Sequence, residues 1–154
     1  MTNPGYEGNI SAGWIPALTE IDPKRSSNMA RIGQRDTAPE LAVRSTLHQM
    51  GYRFRLHQSD LPGKPDVVLA RHRTIFLIHG CFWHRHRACR FAYMPKSRVD
   101  FWRAKFKANV IRDRKVEKQL QERGWTVQIV WECETKDRVA LEKLLRQVLP
   151  KRRT

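Results

Sequence analysis

The sequence predicts an α/β fold, one mixed sheet flanked by helices, with elements in the order α-β-β-β-α-β-α. Three observations carry that expectation. Apolar residues recur at helical spacing in three stretches. Four shorter stretches between them alternate or run apolar, as strands do. Turn residues, including Gly51, Pro62-Gly63 and Gly124, fall where one period stops.

Residues 1–25 hold Pro4, Gly5, Gly8, Gly13, Pro16 and Pro23 and sustain no period, so we expect a mobile N-terminal arm before a single domain over 26–150. Thr37-Ala38-Pro39-Glu40 has the pattern of a capping box, with proline tolerated in the first turn. The helix it opens should bury Leu41, Leu47 and Met50 and stop at Gly51. Tyr52–His57 alternates apolar and basic residues, the mark of a strand with one wet face. A loop rich in Pro and Gly, Gln58–Pro65, leads into a short apolar strand, Asp66–Leu69. The turn Ala70–Arg73 is tight, so the strand Thr74–His79 should return antiparallel. Gly80–Pro95 has no regular pattern. Val99, Trp102, Phe106, Val110, Val116 and Leu120 form the stripe of a long helix that Gly124 ends. Trp125–Trp131 alternates as a strand, and a helix near Asp137–Leu149 buries Leu141, Leu144, Leu145 and Val148. Residues 151–154 form a basic tail.

Composition narrows the partners. Thirty Lys and Arg against fifteen Asp and Glu leave a formal charge of +15 on 154 residues. That excess favours a polyanion, nucleic acid before an anionic membrane surface. No apolar run approaches a membrane span and no signal peptide is legible, so a cytoplasmic location is expected. Three cysteines would leave one over in a disulfide framework, which favours reduced thiols or metal ligation.

The residues able to carry chemistry gather around Ile78–Cys89, IHGCFWHRHRAC. Asp66 sits at a loop-to-strand junction, where an acid can hold a divalent cation over a phosphate; Pro65-Asp66 taken alone reads as a turn dipeptide. The next strand ends Phe76-Leu77-Ile78-His79, without the second acid and lysine that nuclease strands often carry. Histidine is the available substitute, because neutral imidazole accepts a proton near pH 7, and His79 and His84 are the candidates. Asp113 falls on the apolar stripe of the long helix and so needs a partner there. A histidine would serve, and so would Arg112 or Arg114. Glu40 closes the capping box or reaches a metal-bound water, and spacing favours the cap. Cys81, His86 and Cys89, with Cys133 after the last strand, make a Cys₃His set that zinc would take with no open position, a structural site; buried thiols are the alternative. Phe82 and Trp83 either pack inside or wedge between bases, and their neighbours Arg85, Arg87 and Arg90 argue for exposure of at least one ring.

The element order is also that of the restriction-endonuclease-like core, and the motifs SSNM (26–29), RDTAPE (35–40), LPGKPD (61–66), HGCFWH (79–84), FW (101–102), NVIRD (109–113) and GWTVQIVWEC (124–133) occur in sequence. The chain thereby resembles the very short patch repair endonucleases from about Ser26 to Cys133. The resemblance implies a restriction-endonuclease-like fold with a structural zinc. It implies a DNA mismatch endonuclease that nicks one strand 5′ to the thymine of a T:G mismatch, the product of 5-methylcytosine deamination. Carried over by position, Asp66 and the Ile78 carbonyl would hold magnesium, two ions in all. His79 and His84 would be the active-site histidines, His84 the general base oriented by Asp113, and Glu40 would bind metal-coordinated water. Cys81, His86, Cys89 and Cys133 would hold zinc. Phe82, Trp83 and Trp102 would form the wedge, with Met29 entering from the opposite groove. The implied partners are double-stranded DNA and, beyond it, mismatch-repair proteins, with the enzyme a monomer in the bacterial cytoplasm. Ile78 stands where Thr is common in this family, and the His86-to-Cys89 spacing is one residue longer than in some relatives. A restriction-type endonuclease and a non-catalytic zinc-stabilised DNA-binding module remain as alternatives.

Overall fold

A computed structural model describes residues 35–150. The expected arm (1–25), Met29 and the basic tail (151–154) lie outside the described residues. The element order is the expected one: α1 (Ala38–Gln49), β1 (Arg55–Leu56), β2 (Val67–Leu69), a 3₁₀ turn (Ala70–His72), β3 (Thr74–His79), α2 (Val99–Glu122), β4 (Thr126–Trp131), a second 3₁₀ turn (Glu132–Thr135) and α3 (Arg138–Val148).

The four strands form one mixed sheet in the order β1-β2-β3-β4. β2 and β3 pair antiparallel, Val68 opposite Ile75, across the 3₁₀ turn, which Arg73 closes in the left-handed region at φ 52°. β3 and β4 pair parallel from Thr74↔Thr126 to His79↔Trp131, and α2 makes the crossover between them that a parallel pair requires. β2 is buried throughout, hence its unbroken apolar run.

Each face of the sheet has its own core. Phe76, Val67, Leu69 and Val130 pack with Val43 and Leu47 of α1 and Leu141 and Leu145 of α3. Val68, Ile75 and Leu77 pack with Leu120 of α2, and Val116, Trp125, Val127 and Ile129 flank them. Each fully buried Leu or Ile contributes roughly 1.5–3 kcal/mol relative to exposure. Alternation along β4 thus divides its side chains between the two faces. Asp137 caps α3 by accepting the Val139 and Ala140 N–H groups, at 2.9 and 3.1 Å. Gly63, at φ +71°, lets the loop before β2 lie on α2, since a Cβ there would stand 2.5 Å from Val116 Cγ1.

Three local expectations need correction. Thr37 does not cap α1 through its side chain; its hydroxyl donates to Glu40 Oε1 at 3.0 Å, while Glu40 Oε2 accepts the Asp36 N–H at 3.1 Å. Leu41 is 50% exposed, because the inward face of α1 runs through Glu40, Val43, Thr46 and Leu47, centred about 150° away around the helix. Tyr52–His57 pairs only at Arg55 and Leu56, and both are exposed. Tyr52 instead turns inward, its hydroxyl donating to the Pro150 carbonyl at 3.0 Å.

Candidate active site

The strand β3 delivers the site. Asp66, one residue before β2, reaches across so that its Oδ2 accepts the Ile78 N–H at 2.8 Å. This ties the carboxylate to the end of β3, one residue from His79. Burial pushes the Asp66 carboxyl above its ordinary range, the Ile78 N–H pulls it down, and the Glu40 charge pushes it up again. Such a carboxylate gains from a cation, and its oxygens are the donors a hard divalent ion takes.

His79 is buried, and its ring lies flat on that of His84, centroids 4.0 Å apart and 9° from parallel. Burial first, and the charge on His84 second, push the His79 imidazole down to about 4. His84 comes from the irregular segment after β3, where its N–H donates to the Gly80 carbonyl at 3.1 Å. Its Nδ1 lies 2.6 Å from Asp113 Oδ2 on α2. Of the partners left open for Asp113, a histidine is the one that bonds it. Burial works to raise the Asp113 pKa, but the bond to His84 and the charges of both histidines hold it below the usual carboxylate range. An ionised Asp113 fixes the proton of His84 on Nδ1 and leaves Nε2 as the basic atom. Ligand atoms of His79, His84 and Asp113 lie within 4.8 Å of one another, close enough for a metal as well as for proton transfer.

Glu40 is 5% exposed. Arg44, one helical turn on, donates through Nη2 to Glu40 Oε2 at 3.0 Å and through Nη1 to Asp36 Oδ1 at 2.6 Å. His57 Nε2 lies 3.0 Å from Arg44 Nη2 and 3.7 Å from Glu40 Oε2, and the His57 N–H donates to the Asp66 carbonyl at 3.3 Å. Glu40 therefore joins the Asp66 end of the sheet through His57.

Beside this centre stands the cysteine set. Donor atoms of Cys81, His86, Cys89 and Cys133 lie within 4.8 Å of one another. His86 Nδ1 is 3.6 Å from Cys81 Sγ and 3.3 Å from Cys133 Sγ. Tetrahedral zinc, with bonds of about 2.3 Å to sulfur and about 2.0 Å to nitrogen, needs donor separations of roughly 3.5–3.8 Å. The four side chains fit that ion, and burial pushes the metal-free Cys81 thiol up to about 12. Left-handed residues at Arg85 (φ 58°) and Ala88 (φ 56°) bend the chain so that the donors converge. Trp131 stacks on His86 with centroids 4.3 Å apart and meets His79 edge-on at 5.4 Å.

Phe82 touches Trp83, Tyr93, Trp102 and Phe106, all with centroids within 5.5 Å. Phe82 and Trp83 are half-buried, so neither ring is as open as the sequence suggested, and Trp102, 5% exposed, is the floor beneath them. Asn109 donates to the Trp83 carbonyl at 3.1 Å. Arg85, expected at the surface, turns inward: it donates to the carbonyls of Tyr93 at 3.0 Å and Ala92 at 2.8 Å and lies over the Phe106 ring. Carbonyl groups left unpaired by the irregular backbone account for that inversion. Arg87 and Arg90 are exposed as expected.

The family model of the DNA mismatch endonuclease Vsr matches residues 20–90. The DNA mismatch endonuclease Vsr of Escherichia coli is 44% identical over 128 residues, 83% of this chain and 80% of that protein. The chain belongs to the Vsr family. Type II nicking enzyme V.XorIIP of Xanthomonas oryzae pv. oryzae is 49% identical over 126 residues, 82% of this chain and 92% of that protein. Type II nicking enzyme V.NmeAIP of Neisseria meningitidis serogroup A is 42% identical over 129 residues, 81% of this chain and 91% of that protein.

Set in the Vsr family, Asp66, His79, His84 and Asp113 gather at one end of the sheet, and the Cys₃His set closes beside them. Two residues of the neighbourhood, Arg44 and His57, are absent from the sequence reading. The Glu40–Arg44 spacing of four was the available signal for the first. Nothing local marks His57, whose ring partner lies 13 residues back on α1.

Proposed function

We propose that this Vsr-family protein is a DNA endonuclease that nicks one strand 5′ to the thymine of a T:G mismatch. The observation that carries the reading is the His84–Asp113 bond of 2.6 Å with the His79 ring stacked on His84, one residue from Ile78, whose N–H fixes the Asp66 carboxylate. A polarised imidazole beside an anchored acid is what phosphodiester hydrolysis needs, and a net charge of +15 suits a polyanionic substrate.

Asp66 and the Ile78 carbonyl would hold magnesium, and Glu40 would bind the water around it. Bound there, the ion would neutralise charge on the phosphoryl oxygens and on the leaving oxygen. His84 Nε2 takes a proton from the attacking water, and Asp113 stabilises the imidazolium that forms. His79 stays neutral at pH 7, so the stacked pair never holds two positive charges. Phe82 and Trp83, backed by Trp102, enter the mismatched step, where unstacking costs least. Arg85, donating to the Phe82 carbonyl at 3.4 Å, and Asn109, donating to that of Trp83, hold the aromatic pair in place. Cys81, His86, Cys89 and Cys133 would hold zinc as a purely structural ion, since four protein ligands leave no open position. Attack in line with the departing 3′-oxygen leaves 5′-phosphate and 3′-hydroxyl ends.

A labelled duplex with one T:G pair and its T:A control, each with magnesium or EDTA, tests the reading. Mismatch-dependent, magnesium-dependent nicking that Asp66→Ala abolishes is expected. Cutting of both strands of the paired control would replace it with a restriction-type activity, and binding without cleavage with a DNA-binding module.

A further inference from the structure

The Glu40 carboxylate is more heavily bonded than a metal ligand should be. Its Oε1 accepts from the Thr37 hydroxyl at 3.0 Å, and its Oε2 accepts from the Asp36 N–H at 3.1 Å and from Arg44 Nη2 at 3.0 Å. Side-chain exposures of 6% for Glu40 and 12% for Arg44 make this a largely desolvated pair. Asp36, Glu40 and His57 have ligand atoms close enough for a cation, yet the Arg44 guanidinium already lies among them. His57 spans the remaining gap: its ring faces Arg44 and Glu40, and its backbone N–H donates to the Asp66 carbonyl.

From this geometry we propose that Arg44 is a positioning residue that neutralises Glu40 and holds it out of direct contact with the catalytic cation at Asp66. The assignment rests on the cation reading of Asp66 given above. The guanidinium fork orients Glu40 toward the water around the ion while leaving Asp66 as the only side-chain carboxylate in contact with it. A lone contact carboxylate keeps the ion loosely held, with coordination positions left for phosphate oxygens. Two free carboxylates would chelate it more tightly, because affinity for hard cations follows the charge of the ligand set.

The consequence runs opposite to ordinary damage. Removing Arg44 releases a second carboxylate, so cation binding should strengthen while nicking slows. The test is Mn²⁺ binding to the full chain without DNA, by calorimetry, beside single-turnover nicking. Arg44→Met should bind Mn²⁺ about threefold or more tightly than the wild type and nick about tenfold or more slowly. Glu40→Gln should weaken Mn²⁺ binding by no more than about threefold, since a carboxylate held off the ion contributes only its through-space charge. The double variant should return to wild-type affinity. If Arg44→Met does not fold, Glu40→Gln decides: a roughly tenfold loss of Mn²⁺ affinity would make Glu40 a direct ligand and overturn the assignment. Asp66→Ala separates the two levels. Binding lost in Asp66→Ala but unaltered or weakened in Arg44→Met overturns the role of Arg44 alone. Binding that survives Asp66→Ala overturns the cation reading, and the Arg44 assignment with it.

Discussion

Replacing Asp113 with Asn keeps the shape of the His84 partner and removes its charge. The bond to be weakened is 2.6 Å long, with His84 and Asp113 side chains 22% and 16% exposed. When His84 accepts a proton, the two charge centres stand about 4 Å apart, an attraction of about 4 kcal/mol at an effective dielectric near 20. Solvent reaches both side chains and screens part of it, so about 2–3 kcal/mol of stabilisation is lost in the transition state. That predicts nicking slower by about 30–150-fold under single-turnover conditions. The amide can also present its N–H₂ to Nδ1 and favour the tautomer with the proton on Nε2, which adds to the loss. Binding to the T:G duplex should change by less than about threefold, because the deficit lies in the chemical step. A variant that folds and binds normally and nicks within threefold of the wild-type rate would refute the role of Asp113, and with it His84 as the base.

Acid should destabilise the fold through His79. Its folded pKa of about 4 lies below the ordinary 6.5, so the unfolded chain binds this proton first, and stability present above pH 6.5 is lost as pH falls toward 4. The loss approaches about 3 kcal/mol; urea melts at pH 7, 6, 5 and 4.5 should show it, and His79→Gln should remove that part of the slope. Cys133→Ser should reduce zinc measured by mass spectrometry from about one ion per chain to nearly none and lower Tm by several degrees; a wild type that folds equally well without zinc would count against the site. Gly63→Ala forces a Cβ to within 2.5 Å of Val116 Cγ1 at φ +71°. It should cost about 1–3 kcal/mol in denaturant melts, and the double variant with Val116→Ala should recover the steric share.

The element order was legible because each element is long or apolar enough to carry its own period: the α2 stripe, the buried run of β2 and the alternation of β4. Asp113 was legible for the same reason, since a carboxylate on an apolar stripe demands a partner. The errors arose where a partner from elsewhere in the fold overrides a local pattern. Tyr52 has the alternation of a strand residue but is drawn to Pro150, 98 positions away. Leu41 is as apolar as Leu47, yet the inward face of α1 is decided by the sheet. Arg85 carries a charge suited to water and is recruited by three carbonyls that only the folded loop brings together. Glu40 matched a cap in spacing, and the spacing could not say that Arg44 and His57 would claim it.

The indole of Trp131 is a party wall. His86 of the cysteine loop stacks on it, and His79 of the histidine pair meets its edge. A change that rotates or shrinks this ring is therefore felt on both sides at once. The two clusters share one support, and a rearrangement of either loop that displaces this ring disturbs its neighbour as well.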